Sequence, residues 1–235
     1  MKRISTTQII TLMVTLLTIT INALANILPL NGLNTGEISD RFDILFVPAG
    51  YVFSIWGLIY LALILYSLYQ LMPSQKDNPL LNKIAPAYWI SGLANSIWIF
   101  LWHYEIFSIT WIAMLTILAS LLYIYTQITK SISGGTKETW FVRMPFALYL
   151  GWISVAAIAN ISQVLFFFNW NAWGIPAATW TLIMLSIATI LGLLMIWKEK
   201  EIVYSAVLVW AFIGISVSQA DTILFWFTVK WKKGH

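Results

Sequence analysis

Residues 84–103, IAPAYWISGLANSIWIFLWH, run for twenty positions without an Asp, Glu, Lys or Arg. A helix needs roughly 20 apolar residues to cross the hydrocarbon core of a bilayer. A second run of this kind, residues 106–128, follows after only two residues. Two runs of crossing length with so short a connection predict an antiparallel pair of transmembrane helices.

The rest of the chain has the same character. Of its 235 residues, 60% are hydrophobic and 9% are charged, whereas about a quarter of the residues of a soluble domain are charged. No segment shows the alternating polarity of a membrane barrel strand. The sequence therefore predicts an all-α membrane protein, a polytopic bundle of about seven transmembrane helices. The predicted spans are 8–30, 47–71, 84–103, 106–128, 141–168, 175–197 and 202–229.

Basic residues set the predicted orientation, because Lys and Arg are enriched in cytoplasmic loops. A cytoplasmic N-terminus places nine of them inside and four outside. We therefore expect a multi-pass protein of the cell (inner or plasma) membrane with its N-terminus in the cytoplasm. The start Met1-Lys2-Arg3 with Ala23-Leu24-Ala25 also fits a cleavable signal peptide, but apolar character continues to Leu30 and favours a retained span.

Several function classes lack the residues they need. The chain has no cysteine and two histidines, His103 and His235, so we expect no metal site. With no paired carboxylates or central histidine for acid–base chemistry, we expect no enzyme. The basic residues follow the membrane topology and form no single patch, which argues against a nucleic-acid partner.

Of the fourteen tryptophans, six lie near predicted span ends and three near span centres. Those at the ends suit the interfacial belt of a membrane protein; they are Trp102, Trp140, Trp170, Trp173, Trp197 and Trp231. Trp56, Trp152 and Trp210 fall near span centres, where the belt does not explain them.

Helical spacing groups the central aromatic residues with polar ones. One predicted face carries Phe53, Trp56, Tyr60, Ile64 and Ser67, and another carries Tyr149, Trp152, Ala156, Asn160 and Gln163. Asn95 lies one turn from Trp98, and Asn22 one turn from Asn26. Amides are costly in hydrocarbon unless they are paired, so these faces should point into the bundle. They are either links between helices or the lining of a ligand pocket.

Three motifs carry a resemblance to a known family. They are residues 48–60, PAGYVFSIWGLIY; residues 93–98, LANSIW; and the series Trp152, Ala156, Asn160. In this order they resemble helices 2, 3 and 5 of the TspO/MBR family, the tryptophan-rich sensory or translocator proteins. The chain departs from that family at Ala49 and Tyr51, where the family has Pro and Trp. Its step from Phe53 to Trp56 is one residue shorter, which rotates the two by about 100° on a helix.

The resemblance implies a TspO-like five-helix core over residues 1–168 and a two-helix C-terminal extension over residues 169–235. It also implies a membrane sensor or receptor that binds a flat hydrophobic ligand of the porphyrin or haem type, with no obligate cofactor, and that forms a homodimer. The expected ligand-binding residues are Tyr51, Phe53, Trp56, Tyr60, Asn95, Trp98, Trp152, Ala156 and Asn160. The alternative is a small-molecule transporter or permease, with Arg143 and Asp221 as its intramembrane ionisable residues.

Overall fold

A computed structural model of the chain describes residues 4–28, 30–131 and 136–220. Within these ranges all regular structure is helical. The long helices are α1 (Thr6–Ile27), α2 (Ile55–Gln70), α3 (Pro79–His103), α4 (Thr110–Ser131), α5 (Met144–Phe167), α6 (Ala177–Glu199) and α7 (Ile202–Ser218). A short helix, Thr35–Asp40, lies in the loop between α1 and α2, and a π-helical turn, Thr139–Arg143, leads into α5.

Six helical stretches of the described chain are long and apolar enough to cross a membrane, and they match the first six predicted spans. The prediction of a polytopic, all-helical membrane protein is confirmed. Helix α7 is apolar but has only 17 residues. Residues 221–229 of the predicted last span lie outside the described residues, so a seventh crossing stays a prediction.

Helix α1 has its polar residues inside. Its buried residues recur every three or four positions, as one face of a helix does, and all but the last are polar: Gln8, Thr11, Thr15, Thr18, Asn22 and Ala25. Thr15 Oγ1 lies 2.6 Å from both Ser67 Oγ and Tyr88 Oη, and Gln8 Nε2 donates to the Gln70 carbonyl at 2.6 Å. Helix α1 therefore faces lipid with apolar side chains and joins α2 and α3 through hydrogen bonds, as expected where water is absent.

Helix α7 lies between α5 and α6 because glycines let the backbones approach. A Cβ on Gly151 of α5 would lie 3.0 Å from the Tyr204 carbonyl oxygen of α7, and one on Gly192 of α6 would lie 2.9 Å from Leu208 Cδ1. Only Ala188 and Gly192 of α6 are buried. Most of the apolar surface of α6 is therefore not covered by other described residues.

Candidate ligand cavity

A small cavity lies between α2, α3, α4 and α5 under the loop that joins α1 and α2. Its volume is about 30 Å³, which is room for a few water molecules at most. The lining is mostly aromatic and aliphatic and consists of Ser39, Pro48, Phe53, Trp56, Trp98, Trp102, Met114, Trp152, Val155, Ala156, Ala159, Asn160 and Gln163.

Edge-to-face and stacked rings make up the aromatic wall. Trp152 meets Phe53 edge-on at 5.7 Å between ring centroids and Trp56 at 6.3 Å. On the other side Trp98 stacks on Trp102 at 5.2 Å. Both arrangements are favourable for aromatic pairs. They hold the indole rings of three helices around one space.

Three buried polar atoms of this lining have no hydrogen-bond partner among the described residues. They are Trp98 Nε1, Trp152 Nε1 and Asn160 Oδ1. Buried polar groups are nearly always paired, and leaving one unpaired costs about 1–3 kcal/mol. Because two N–H donors and one carbonyl acceptor belong to the lining of the same cavity, the cavity is suited to a molecule with a polar edge.

The α1–α2 loop forms the roof and is held by hydrogen bonds. Gln163 Nε2 donates to Ser39 Oγ at 2.9 Å, and Trp102 Nε1 donates to the Thr35 carbonyl at 3.2 Å. The buried ring of His103 lies 3.1 Å from Thr35 Oγ1 and from the Leu30 carbonyl. Ser39 and Gln163 both line the cavity, so the roof is attached directly to the cavity wall.

A protein-family model described as TSPO-like protein matches residues 8–231. The chain belongs to the TSPO-like family. No curated protein and no solved structure matches it. The match includes α6 and α7, the two helices which the resemblance to TspO/MBR left as an extension of its five-helix core.

Six of the nine expected ligand-binding residues line the cavity of this TSPO-like protein: Phe53, Trp56, Trp98, Trp152, Ala156 and Asn160. The shortened step between Phe53 and Trp56 does not separate them. Phe53 lies in the 3-10 turn Gly50–Ser54, ahead of the α-helix that starts at Ile55. The 100° rotation expected for a continuous α-helix therefore does not apply.

The other three expected residues lie outside the cavity lining. Tyr51 is 47% exposed and meets Trp210 of α7 edge-on. Tyr60 stacks on Trp56 one turn further along α2. Asn95 is buried in a hydrogen-bonded chain, since it accepts from Asn22 and donates to Tyr149. Its amide therefore links helices.

Two further expectations are wrong. Trp102 was assigned to the interfacial belt from its position at a span end, but it is 2% exposed and lines the cavity. The α1–α2 loop covers that end of α3, which span-end counting does not detect. Ile64, expected on the inward stripe of α2, is exposed, because α2 buries Ile59, Ala62, Leu63 and Tyr66 instead.

Sequence reasoning also missed part of the lining. Ser39 and Pro48 lie in the α1–α2 loop, where periodicity carries no information. Gln163 lies on the same face of α5 as Ala156 and Asn160, so its helical spacing already indicated a lining position. The expected ligand-binding residues nevertheless do not include it. Among the described residues no cluster of His, Asp and Glu could hold a metal ion.

The charges nearest the roof lie on its water-facing side. Arg41 of the loop pairs with Glu105, which follows α3. Partial burial and the neighbouring Glu37 raise the pKa of Asp40 above its ordinary value. Of the described residues, no Asp, Glu, Lys or Arg lines the cavity itself, so a ligand there would be recognised by rings and neutral hydrogen-bonding groups.

Proposed function

We propose that this TSPO-like protein is a membrane receptor or sensor that binds a flat hydrophobic ligand of the porphyrin class in the cavity. One observation carries the proposal: the unpartnered polar atoms of Trp98, Trp152 and Asn160 belong to one aromatic-lined space. Aromatic faces provide stacking surface for a flat molecule, and a few convergent polar groups provide its orientation. The assigned role is binding, without catalysis.

Ligand binding in this cavity requires it to open. Pockets for such ligands measure about 300–1,000 Å³, against about 30 Å³ here. We infer that the part of the α1–α2 loop around Ser39 moves, because it meets the cavity wall through the hydrogen bonds at Ser39 and Thr35. The rest of the loop stays held by the Arg41–Glu105 ion pair and by the bond from the Ala49 N–H to the Gly214 carbonyl. Movement of a loop costs less than separation of packed transmembrane helices.

A titration of the purified protein with protoporphyrin IX tests the proposal. Porphyrin absorbance is the readout, because it does not depend on the tryptophans that are replaced. Trp56→Leu and Trp152→Leu should each lower affinity about fivefold or more, since good aromatic contacts contribute on the order of 1 kcal/mol beyond area burial. Trp197→Leu is the matched control, because Trp197 is 79% exposed on α6.

A second substitution separates ligand recognition from folding. Trp152→Phe keeps an aromatic ring and removes only the unpartnered Nε1–H and part of the ring surface. Loss of that donor breaks no hydrogen bond among the described residues, but the smaller ring leaves a void at a buried position and lowers stability. Porphyrin affinity is therefore compared with that of the native protein well below the unfolding temperature of the variant. Equal porphyrin affinity in the native protein and in the Trp56, Trp152 and Trp197 variants would mean that these tryptophans are packing residues only.

Transport is supported less well than binding. Of its two ionisable candidates, Arg143 is paired with Glu201 at the end of the bundle opposite the cavity, and Asp221 lies outside the described residues. A residue committed to an ion pair is a poor carrier for a substrate charge. The proposal also includes a cytoplasmic N-terminus and a location in the plasma membrane, both of which are based on the count of basic residues by loop. It further includes a homodimer, which the resemblance to the TspO/MBR family suggests.

A further inference from the structure

A second groove, separate from the cavity, lies between the C-terminal half of α5 and the start of α6. Its volume is about 140 Å³, and residues 43–46 of the α1–α2 loop form one side. It shares no lining residue with the cavity. The groove is lined by Asp43, Ile44, Leu45, Phe46, Ser162, Leu165, Phe166, Trp170, Ala172, Ala177, Trp180, Thr181 and Met184.

One end of the groove is aromatic and fixed in place. Trp170 and Trp180 line it, with ring centroids 5.7 Å apart. Trp173 contacts both rings from behind, at 5.2 Å and 5.8 Å. Trp180 Nε1 donates to the Ala172 carbonyl at 3.1 Å, which sets the orientation of its ring. Indole faces are electron-rich and attract cations, Trp most strongly among the aromatic residues.

The charge of the groove points to the same kind of ligand. Asp43 is the one ionisable lining residue in the part of the chain that the structure describes. Asp43 is exposed and, within the described part of the chain, has no hydrogen bond or ion pair. The nearest loop cation in sequence, Arg41, is already paired with Glu105. A negative carboxylate and two indole rings therefore line the same groove, and no Lys or Arg of the described residues lines it.

The remainder of the groove is apolar. Leu165, Phe166 and Met184 line it. Ser162 Oγ of α5, which donates to the Ile158 carbonyl at 2.9 Å, lies 3.6 Å from Met184 Sδ of α6. The turn of residues 168–176 separates two membrane-spanning helices, so the aromatic end lies near a membrane surface. There an amphiphile keeps its polar head at the interface and its chain in the hydrocarbon.

We propose that this groove binds an alkylammonium amphiphile, with its quaternary or tertiary ammonium group at Asp43, Trp170 and Trp180 and its alkyl chain between α5 and α6. The carboxylate supplies charge complementarity, and the indoles accommodate the methyl groups of the cation. This site is independent of porphyrin binding in the cavity. If the tryptophans were only interfacial membrane anchors, the groove would not need Asp43 and would not prefer a cationic ligand to a neutral one.

The test is calorimetric titration of the full chain in a neutral maltoside detergent with hexyltrimethylammonium, and with 1-hexanol as the uncharged probe of equal chain length. We expect saturable binding of the ammonium compound and weaker binding of the alcohol. Asp43→Asn and Trp180→Leu should each weaken ammonium binding roughly three- to tenfold. Asp40→Asn, which changes a neighbouring carboxylate outside the groove lining, should leave it unchanged.

Equal binding of the two probes, no binding of the ammonium compound, or an unchanged affinity in Asp43→Asn would each overturn the proposal, and the tryptophans would then be membrane anchors. If the Trp180→Leu variant does not fold, the Asp43→Asn variant alone tests the proposal. Asp43 is exposed, so its replacement should not disturb folding. Protoporphyrin IX affinity in Asp43→Asn should equal that of the native protein, so failure here is distinguishable from failure of the cavity proposal.

Discussion

The amide of Asn95 donates a hydrogen bond to the hydroxyl of Tyr149 at 3.1 Å, while its oxygen accepts one from Asn22 at 2.6 Å. Three buried polar residues on α1, α3 and α5 thus form one connected chain. Asn160 differs, because its amide nitrogen donates to Thr110 at 3.1 Å and its oxygen has no partner among the described residues. The partner of the Asn160 amide is therefore a residue of α4, and Asn160 shares the cavity lining with Trp56.

This difference predicts unequal stabilities for two similar substitutions. Asn95→Leu removes the only hydrogen bond that the structure shows for the buried Tyr149 hydroxyl among the described residues, and an orphaned group of this kind costs about 1–3 kcal/mol. It also removes one of the two acceptors of the Asn22 amide, which keeps its bond to the Thr18 carbonyl at 2.9 Å. Asn160→Leu removes an amide that was only half satisfied, and Thr110 keeps its own bond to the Phe107 carbonyl at 2.9 Å. Thermal unfolding in detergent should show Asn95→Leu as clearly the less stable variant. Equal losses would contradict the distinction between linking and cavity amides.

The ion pair of Arg143 and Glu201 yields a second prediction. Arg143 Nε donates to Glu201 Oε2 at 2.8 Å, and Tyr125 donates to the same oxygen at 2.9 Å. Glu201→Gln leaves the positive charge without its partner. Because the Arg143 side chain is still 20% exposed, we expect a loss of about 1–3 kcal/mol, below the range for fully buried pairs.

Glu199→Gln is the control for that variant, since Arg143 uses only the backbone carbonyl of Glu199. It should unfold at nearly the native temperature. If the Glu199→Gln and Glu201→Gln variants unfold at the same temperature, the ion pair does not stabilise the packing of α4, α5 and α7.

The contact of Gly214 with residues 48–52 gives a third prediction. The backbone N–H of Ala49 donates to the Gly214 carbonyl at 3.1 Å, and a Cβ on Gly214 would overlap Val52 and lie 3.2 Å from Pro48 Cβ. Gly214→Ala should cost about 1–3 kcal/mol of stability. It should also weaken porphyrin binding, because Pro48 lines the cavity.

Gly57→Ala on α2 provides the comparison, since its added Cβ meets nothing within 4 Å. In an open helical position, replacement of Gly by Ala is stabilising by about 0.5–1 kcal/mol. A Gly214→Ala protein with native stability and affinity would show that α7 does not position the cavity wall.

Orientation in the membrane is the fourth prediction. The chain has no cysteine, so single cysteines report their side of the membrane without background. An impermeant thiol reagent applied to intact cells should label a cysteine at Glu37 and not one at Lys137 or Lys198, all three of which are exposed. Labelling at position 137 from outside would reverse the assigned topology.

The bundle was predictable because its signal is local. Each span is a long apolar run, and each of the first six runs forms a helix within a few residues of its predicted range. The shared face of α5 was equally predictable, since Trp152, Asn160 and Gln163 repeat at helical spacing and are all buried.

Relations between distant segments were not predictable in this way. Periodicity assigns Asn95 to the interior, but only the fold determines that Asn22 and Tyr149 lie beside it and satisfy its amide. Trp102 lies at a helix end, and its burial depends on a loop that starts some seventy residues earlier. Loop residues such as Ser39 follow no period at all, so their place in the cavity depends on the tertiary structure.

The hydrogen bond from Gln163 to Ser39 connects the interior of the membrane domain to a water-facing segment. A molecule larger than a few waters cannot occupy the cavity while this roof is in place. In the proposed function, ligand entry displaces the short helix Thr35–Asp40, which carries Glu37 and Asp40 on its exposed side. Under the proposed function, ligand binding among the transmembrane helices would thus be reported as a rearranged acidic surface on the loop.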